Sequence, residues 1–275
     1  DTTEILDETL TASKQGVGTP LLFVGVSGQA TDIALFRWDS NRLHQLSKGG
    51  HWHTGTLPWL HRLVDMAAVA FQQQHGFDPR ETTRYAARLQ IACERAMNSM
   101  LLMAKVQIKI QRHGKTLAIA IDRRHWLQRC EKLAAGVRET IGRACQEADV
   151  DIREIELCFT QGPLMRMPTV RDAVLRDTPH NLQCQSLDRS DAARGAAACV
   201  ASELPGRGDF AKPPRIVTGQ SIGIVVEDIK NRRRILPIIP RGTGLPARTN
   251  RRLTVGKERD SMTLSLVESS GIDAD

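Results

Sequence analysis

Leu22-Phe23-Val24-Gly25-Val26-Ser27-Gly28-Gln29-Ala30-Thr31-Asp32-Ile33 is the stretch on which the fold turns. Its first part, Leu21 to Val26, is a short apolar run that suits a buried strand. Ser27-Gly28-Gln29 is turn chemistry, because glycine supplies backbone angles that other residues resist. Thr31 to Trp38 reads as the returning strand, and Asp39-Ser40-Asn41 turns into a third. A β-meander is predicted.

Beyond it, Gly49 and Gly50 are read as the end of the meander. From Leu57 to His75 the apolar residues Trp59, Leu60, Leu63, Val64, Ala67 and Phe71 recur at helical spacing, and Gly76 closes that helix. Asp78-Pro79 opens a second helix, expected to run to about Met103, with Met97, Met100 and Met103 on its core side. Val106, Ile108 and Ile110 alternate, Arg112-His113-Gly114-Lys115 turns, and Thr116 to Ile121 returns as a hairpin. A long helix spans Arg123 to Glu147, followed by a strand at Ile155 to Phe159, a Gly-Pro loop and a helix from Thr169. Residues 190–202 are Ala-rich and predict a helix that packs closely on its neighbours.

Residues 204–215, rich in Pro and Gly, read as a linker. After it the pattern is all strand: Ser221 to Val226, Arg234 to Ile239, Thr249 to Val255 and Met262 to Val267. The organisation expected is therefore a polar tail over 1–18, an α/β domain over 19–203 with a helical and hairpin subdomain at about 50–123, the linker, and an all-β segment over 216–275. The polar start, which opens on Asp1 and carries no signal-peptide pattern, reads as a cut end.

Bulk properties exclude several classes. The 275 residues are 41% hydrophobic and 25% charged, ordinary for a globular protein, and no apolar run approaches the ~20 residues of a spanning helix. Six scattered cysteines without a CxxC pair argue against structural zinc and for reduced thiols in the cytoplasm. The net charge of +7 is uneven, with eight basic and no acidic residues from Lys230 to Arg252. Solvated strand faces are the plainer reading of that run, and a phosphate-binding surface is the alternative. One Tyr, six Phe and four Trp give few stacking platforms, so a nucleic-acid partner is not expected. His51, His53 and His61 have no nearby Cys or acid pair, and no metal site is expected there.

Six colinear stretches resemble the DnaK (heat-shock-70) chaperone family. The opening stretch is similar to the family's strand–turn–strand around the ATP phosphates, normally an Asp, three glycines and Thr-Phe-Asp. Gly49 to Gly55, with Trp59 and Arg62 to Asp65 after it, is similar to the family's Gly-Asp-x-His-Leu-Gly-Gly segment. Arg88 to Ala96 resembles the helix that flanks adenine, and Gly162 to Pro168 the Gly-Gly-x-Thr-Arg-x-Pro loop at the adenosine. Ser221 to Ile224 and Ile239 to Pro246 look like the Ser-Leu-Gly-Ile and Ile-Pro-Arg-Asn-Thr-x-Ile-Pro stretches of the substrate-binding domain. The resemblance covers about residues 20–268. It implies the second lobe of an actin-like ATPase, an α/β fold of sheet and helices, followed by the start of an all-β client-binding domain. It further implies ATP or ADP with magnesium as ligand, unfolded peptides or co-chaperones as partners, and no membrane association. The implied nucleotide residues are Ser27, Gly28, Gln29, Asp32, Gly55, Glu94, Gly162 and Arg166.

The departures bear on activity. Gly25 stands where the family has its metal-linked Asp, Ser27 and Gln29 replace loop glycines, and Ala30 replaces a threonine. Met97, Asn98 and Leu101 replace the Lys, Arg and Ser of the adenine helix, and Pro163, Leu164 and Met165 alter the last loop. The family's first lobe, with its phosphate loop and catalytic lysine, has no counterpart in these residues. Phosphoryl transfer depends on positioned charge, and one missing donor commonly costs ~3 kcal/mol of barrier. The site is therefore expected to be vestigial, with weak or absent nucleotide binding and no catalytic residue. Asp32 reads as a metal-water ligand or as a strand-end acid, Glu94 as a ribose contact or a helix ion pair with Arg88 or Arg95, and Arg166 as a base-stacking or ion-paired group. The alternative for the whole chain is a nucleotide-independent pseudo-ATPase scaffold.

Overall fold

The computed structural model describes residues 18–39, 42–202, 212–227, 232–252 and 263–269. Residues 1–17 of the expected tail, 204–211 of the linker expected over 204–215 and 40–41 of the turn lie outside the described residues, and the last four linker residues, Lys212–Arg215, form a strand that pairs with the sheet.

The meander forms as β1 (Pro20–Ser27), β2 (Ala30–Asp39) and β3 (Arg42–Trp52). Leu22, Val24, Val26, Ile33 and Leu35 share one face of it and are buried. Two strands extend the sheet in parallel beyond β1, β6 (Leu157–Gln161) and then β7 (Gln183–Leu187), and β8 (Lys212–Arg215) pairs in parallel with β3. The order is β7-β6-β1-β2-β3-β8. Gly49 and Gly50 do not end the meander; β3 runs through both to Trp52. A Cβ at Gly49 would rest 3.5 Å from the Thr140 methyl of the covering helix, and one at Gly50 3.1 Å from the Thr31 carbonyl. These glycines thus sit where neighbours come close, not where pairing stops.

The buried face is covered by the long helix α3, Arg123–Glu147, whose bounds are those read from sequence. The Asp122 carboxylate accepts from the Arg124 N–H at its start. Inside the interface the Ser47 hydroxyl donates to the Ala144 carbonyl at 2.8 Å. Before α3 come α1 (Thr56–His75), ended by left-handed Gly76, and α2 (Thr83–Ser99). The expected second helix is thus two pieces. Pro79–Glu81 forms a 3-10 turn capped by Asp78, and Thr82 is extended. α2 also stops at Ser99, short of Met103, because Leu102 and Met103 are exposed and offer no buried face to prolong it. β4 (Lys105–Arg112) and β5 (Lys115–Asp122) form the hairpin, turning on His113 and Gly114, both at positive φ. Trp59 and Trp126 meet edge to face at 5.8 Å, and the Trp126 indole donates to the Trp59 carbonyl, locking α1 to α3.

The strand expected at Ile155 to Phe159 forms two residues later, because Ile152–Glu154 takes up a 3-10 turn capped by Asp151 and Ile155 closes it. The short helix α4 (Pro168–Val174) packs on α3. α5 (Arg189–Ser202) carries the chain from the β7 edge toward β8. The close packing expected of it is not found. None of its residues is buried, and only Asp191, Gly195, Ala198, Cys199 and Ser202 along one stripe, with Ala201, are half-buried. Ala and Gly bring little apolar area to an interface, so such a helix is weakly held.

The C-terminal region is a three-stranded antiparallel sheet, β10-β9-β11, from β9 (Ser221–Glu227), β10 (Arg233–Ile239) and β11 (Leu266–Ser269). Of the strand expected over Thr249 to Val255, the described part through Arg252 is exposed and unpaired coil, and residues 253–255 lie outside the described residues. Among the described residues no helix is long and apolar enough to cross a membrane. The architecture is the expected one: a mixed α/β unit, then a small all-β segment.

Candidate functional site

Three loops meet at one end of the sheet. The first is the β1–β2 hairpin tip, where Ser27, Gly28 and Gln29 are exposed and Gly28 has φ 46. The second is the segment between β3 and α1. Its His53 and Gly55 N–H groups both donate to the Gln29 carbonyl, at 2.9 and 3.0 Å, and the Leu57 N–H donates to the Gly28 carbonyl at 2.8 Å. The first-turn N–H groups of a helix need such partners, so the hairpin tip caps α1. The Thr56 hydroxyl adds a bond to the Val26 carbonyl at 3.3 Å. The third loop follows β6. There Gly162 has φ 110, and a Cβ on it would fall 2.0 Å from the Val26 carbonyl oxygen.

Gly55 is held to the same standard of fit by different means. Its backbone is extended, φ −71 and ψ −174, which any residue can adopt. A Cβ there would nevertheless lie 2.4 Å from the Ala30 nitrogen and 2.5 Å from both Gln29 C and Ser27 O. Gly28 differs again, since a Cβ on it would meet nothing. Gly55 and Gly162 are therefore close-approach glycines, and Gly28 is a turn glycine.

Asp32 is exposed on β2, on the sheet face opposite α3. Its cross-strand partners are Gly25 on β1 and Gly50 on β3. Both neighbours lack side chains, so no second acid stands in register with the carboxylate, and the place of a Gly25 side chain is taken by the Phe23 ring, 3.1 Å from where its Cβ would be. Among the described residues no three His, Cys, Asp or Glu side chains converge to hold a metal ion. A hydrated magnesium here would rest on Asp32 and on oxygens of a bound phosphate. The ligand set does not suit a site that binds the ion unaided.

Ser27, Gly28, Gln29, Asp32, Gly55 and Gly162 are thus brought together. Arg166 belongs to the third loop, on a 3-10 turn that packs on β1 and β6, while Glu94 sits on a different helix. Glu94 is exposed on α2, which packs on α1 and β4, and it makes no ion pair with Arg88 or Arg95. Arg166 is exposed at the end of the 3-10 turn Leu164–Arg166 and has no acidic partner among the described residues. One residue went unnoticed at the site. Trp52, opposite Ala30 and 73% exposed, lies on the Asp32 face at the end of β3. Its signal was an aromatic side chain at a strand end, masked by the flanking histidines.

Residues 12–266 match the sequence model of a family described as Hsp70 protein. A Heat shock 70 kDa protein of Penicillium citrinum is 25% identical over 188 residues, covering 68% of this chain and 37% of its own length. A Chaperone protein DnaK of Thermotoga maritima is 25% identical over 252 residues, covering 88% of this chain and 41% of its own length. The DnaK of Deinococcus radiodurans is 23% identical over 244 residues, with 86% and 38% covered. The chain therefore spans about two fifths of the length of these relatives.

Proposed function

Because the chain belongs to the Hsp70 family, we propose that it is part of a DnaK-like chaperone acting in protein folding, with a nucleotide site that has degenerated. On this reading residues 19–203 are the second ATPase lobe, 204–215 the connection and 216–275 the start of the client-binding β-domain. Clients are unfolded peptides, partners are co-chaperones, and the compartment is the cytoplasm.

One observation carries the reading of the site. Asp32 keeps its place on β2, but Gly25 and Gly50 beside it leave it the lone carboxylate at that level of the sheet. The loop cluster keeps its backbone fit at Gly55 and Gly162, while Ser27 and Gln29 put side chains where phosphates need bare backbone. ATP or ADP with magnesium then binds weakly or not at all, and this chain turns over no ATP. A second reading is a nucleotide-independent scaffold. It is favoured by direct contacts between the β segment and the lobe: the Arg241–Glu147 ion pair, Arg241 to the Lys48 carbonyl, and the Val217 N–H to the Gln45 side chain at 3.1 Å. None of these uses a group of the loop cluster.

Calorimetry with Mg-ADP and Mg-ATP separates the two. Saturable binding, however weak, supports a chaperone lobe with a degenerate site, and no heat at millimolar nucleotide supports the scaffold. Magnesium-dependent hydrolysis above background that disappears in Asp32→Asn would overturn the degenerate site.

A further inference from the structure

Cys158 on β6 and Cys184 on β7 stand directly opposite each other in a parallel ladder. Cys158 is also in register with Leu22, so both thiols project from the sheet face that α3 and α4 cover. Neighbouring strands lie about 4.8 Å apart. That separation falls within the roughly 4.4–6.8 Å between Cα atoms that a disulfide spans. The Cα spacing is therefore compatible with a disulfide, and bringing the Cβ atoms to the roughly 3.8 Å that a disulfide needs takes rotamer adjustment and a small approach of the edge strand β7.

The two sulfurs are chemically unequal. The Cys158 thiol donates to the Phe159 carbonyl at 3.8 Å and the Cys184 thiol to the Leu182 carbonyl at 4.0 Å, and the closeness of the two sulfurs lowers the Cys184 pKa from its ordinary value and raises that of Cys158. Arg171 on α4 also favours the Cys184 thiolate, against Asp172. Cys184 is half-buried on the outermost strand, while Cys158 is fully buried behind it. Reagents thus meet the more nucleophilic sulfur first. The other thiols lack this arrangement. Burial pushes Cys93 and Cys130 up to about 12 and Cys145 up to about 11, and Cys199 lies on α5.

We propose that Cys158 and Cys184 are a reversible thiol–disulfide pair, with Cys184 as the attacking sulfur and a small hydroperoxide as oxidant. The Cys184 thiolate attacks one peroxide oxygen. The O–O bond breaks, hydroxide leaves, and it takes up the proton Cys184 released, giving a sulfenic acid and water. The Cys158 sulfur then attacks the sulfenic sulfur. The S–S bond forms, the S–O bond breaks, and the departing hydroxyl takes the Cys158 proton as a second water. Two thiols and one hydrogen peroxide yield one disulfide and two waters; a dithiol reductant reverses the change. The new bond closes a loop that contains Gly162, Arg166 and α4, and so tethers the third loop of the candidate site to the outer strand.

The test treats the full chain with hydrogen peroxide, alkylates remaining thiols after denaturation, and reads intact mass and linked peptides. The expected product has lost two hydrogen masses, retains four of its six alkylatable cysteines, carries a 158–184 linked peptide and reverts with dithiothreitol. Cys184→Ser abolishes the linkage and leaves Cys158 alkylatable. Cys158→Ser leaves a sulfenic acid at Cys184 that dimedone traps. A wild-type chain that keeps six reactive thiols, a linkage mapping to other cysteines, or one that persists in Cys184→Ser overturns the proposal.

Discussion

Replacing Gly55 with alanine adds one methyl group at a position whose backbone is already extended, so conformational strain contributes nothing. The whole effect is space. The methyl would sit 2.4–2.5 Å from three backbone atoms of Ser27, Gln29 and Ala30. Carbon contacts settle at about 3.5 Å, so the hairpin tip must retreat by about 1 Å. That retreat stretches the bonds from His53, Gly55 and Leu57 to the tip carbonyls. Losing two of them costs about 2 kcal/mol at about 1 kcal/mol each. Overpacking adds about 1–3 kcal/mol, and the gain from removing a glycine in the unfolded chain returns about 0.4–1 kcal/mol. The net loss is about 2–5 kcal/mol, a fall in Tm of roughly 5–20 °C for a chain of this size. Urea and thermal unfolding measure it, with Gly28→Ala as the control. That change meets open space and carries only the left-handed strain of about 1–2 kcal/mol. A Gly55→Ala chain no less stable than Gly28→Ala, with unchanged amide exchange at Leu57, would refute the close-approach reasoning.

Two more outcomes are expected. Glu131 has its pKa lowered, first by the hydrogen bond from Arg138 and then helped by the charge of Arg176. A lowered folded value gives stability that is present above the unfolded carboxyl pKa of about 4.3 and is lost as pH falls through the folded value. Because Glu131 is 46% exposed the amount is under about 1 kcal/mol, so Glu131→Gln should flatten the acid limb of Tm against pH below about 4.5. An unchanged limb would count against the pair. Arg241→Ala removes the ion pair with Glu147 and the bond to Lys48. Amide exchange at Val217 and along β9 should quicken about tenfold for each 1.4 kcal/mol lost, with little change in α3; equal protection in both chains would show that the contact does not hold the β segment.

Much of the fold was legible because local chemistry and tertiary packing agree. α3 begins at an Asp cap and buries a regular stripe, so its ends matched the pattern. The β4–β5 hairpin alternates cleanly about His113-Gly114. Disagreement arose where the deciding neighbour is distant in sequence. Gly49 and Gly50 look like breakers until α3 and Thr31 are seen against them. β7, Gln-Cys-Gln-Ser-Leu, was missed because it carries little β-forming character and is a strand only by pairing with β6. At the candidate site the glycines were visible, but their roles were not. Gly28 is needed for its φ, and Gly55 for the atoms that surround it.

β8 forms the outer edge of the six-stranded sheet and consists of Lys212-Pro213-Pro214-Arg215. Successive residues of a strand aim their N–H groups to opposite sides, and proline has none. One of the two prolines therefore weakens the ladder to β3, in keeping with its irregular register. The other removes one of the two donors facing outward. A free sheet edge is a template on which a second chain can add, and this one is left with half its donors. Among the described residues this edge is therefore a poor template for a further strand, whatever the neighbouring site has kept or lost.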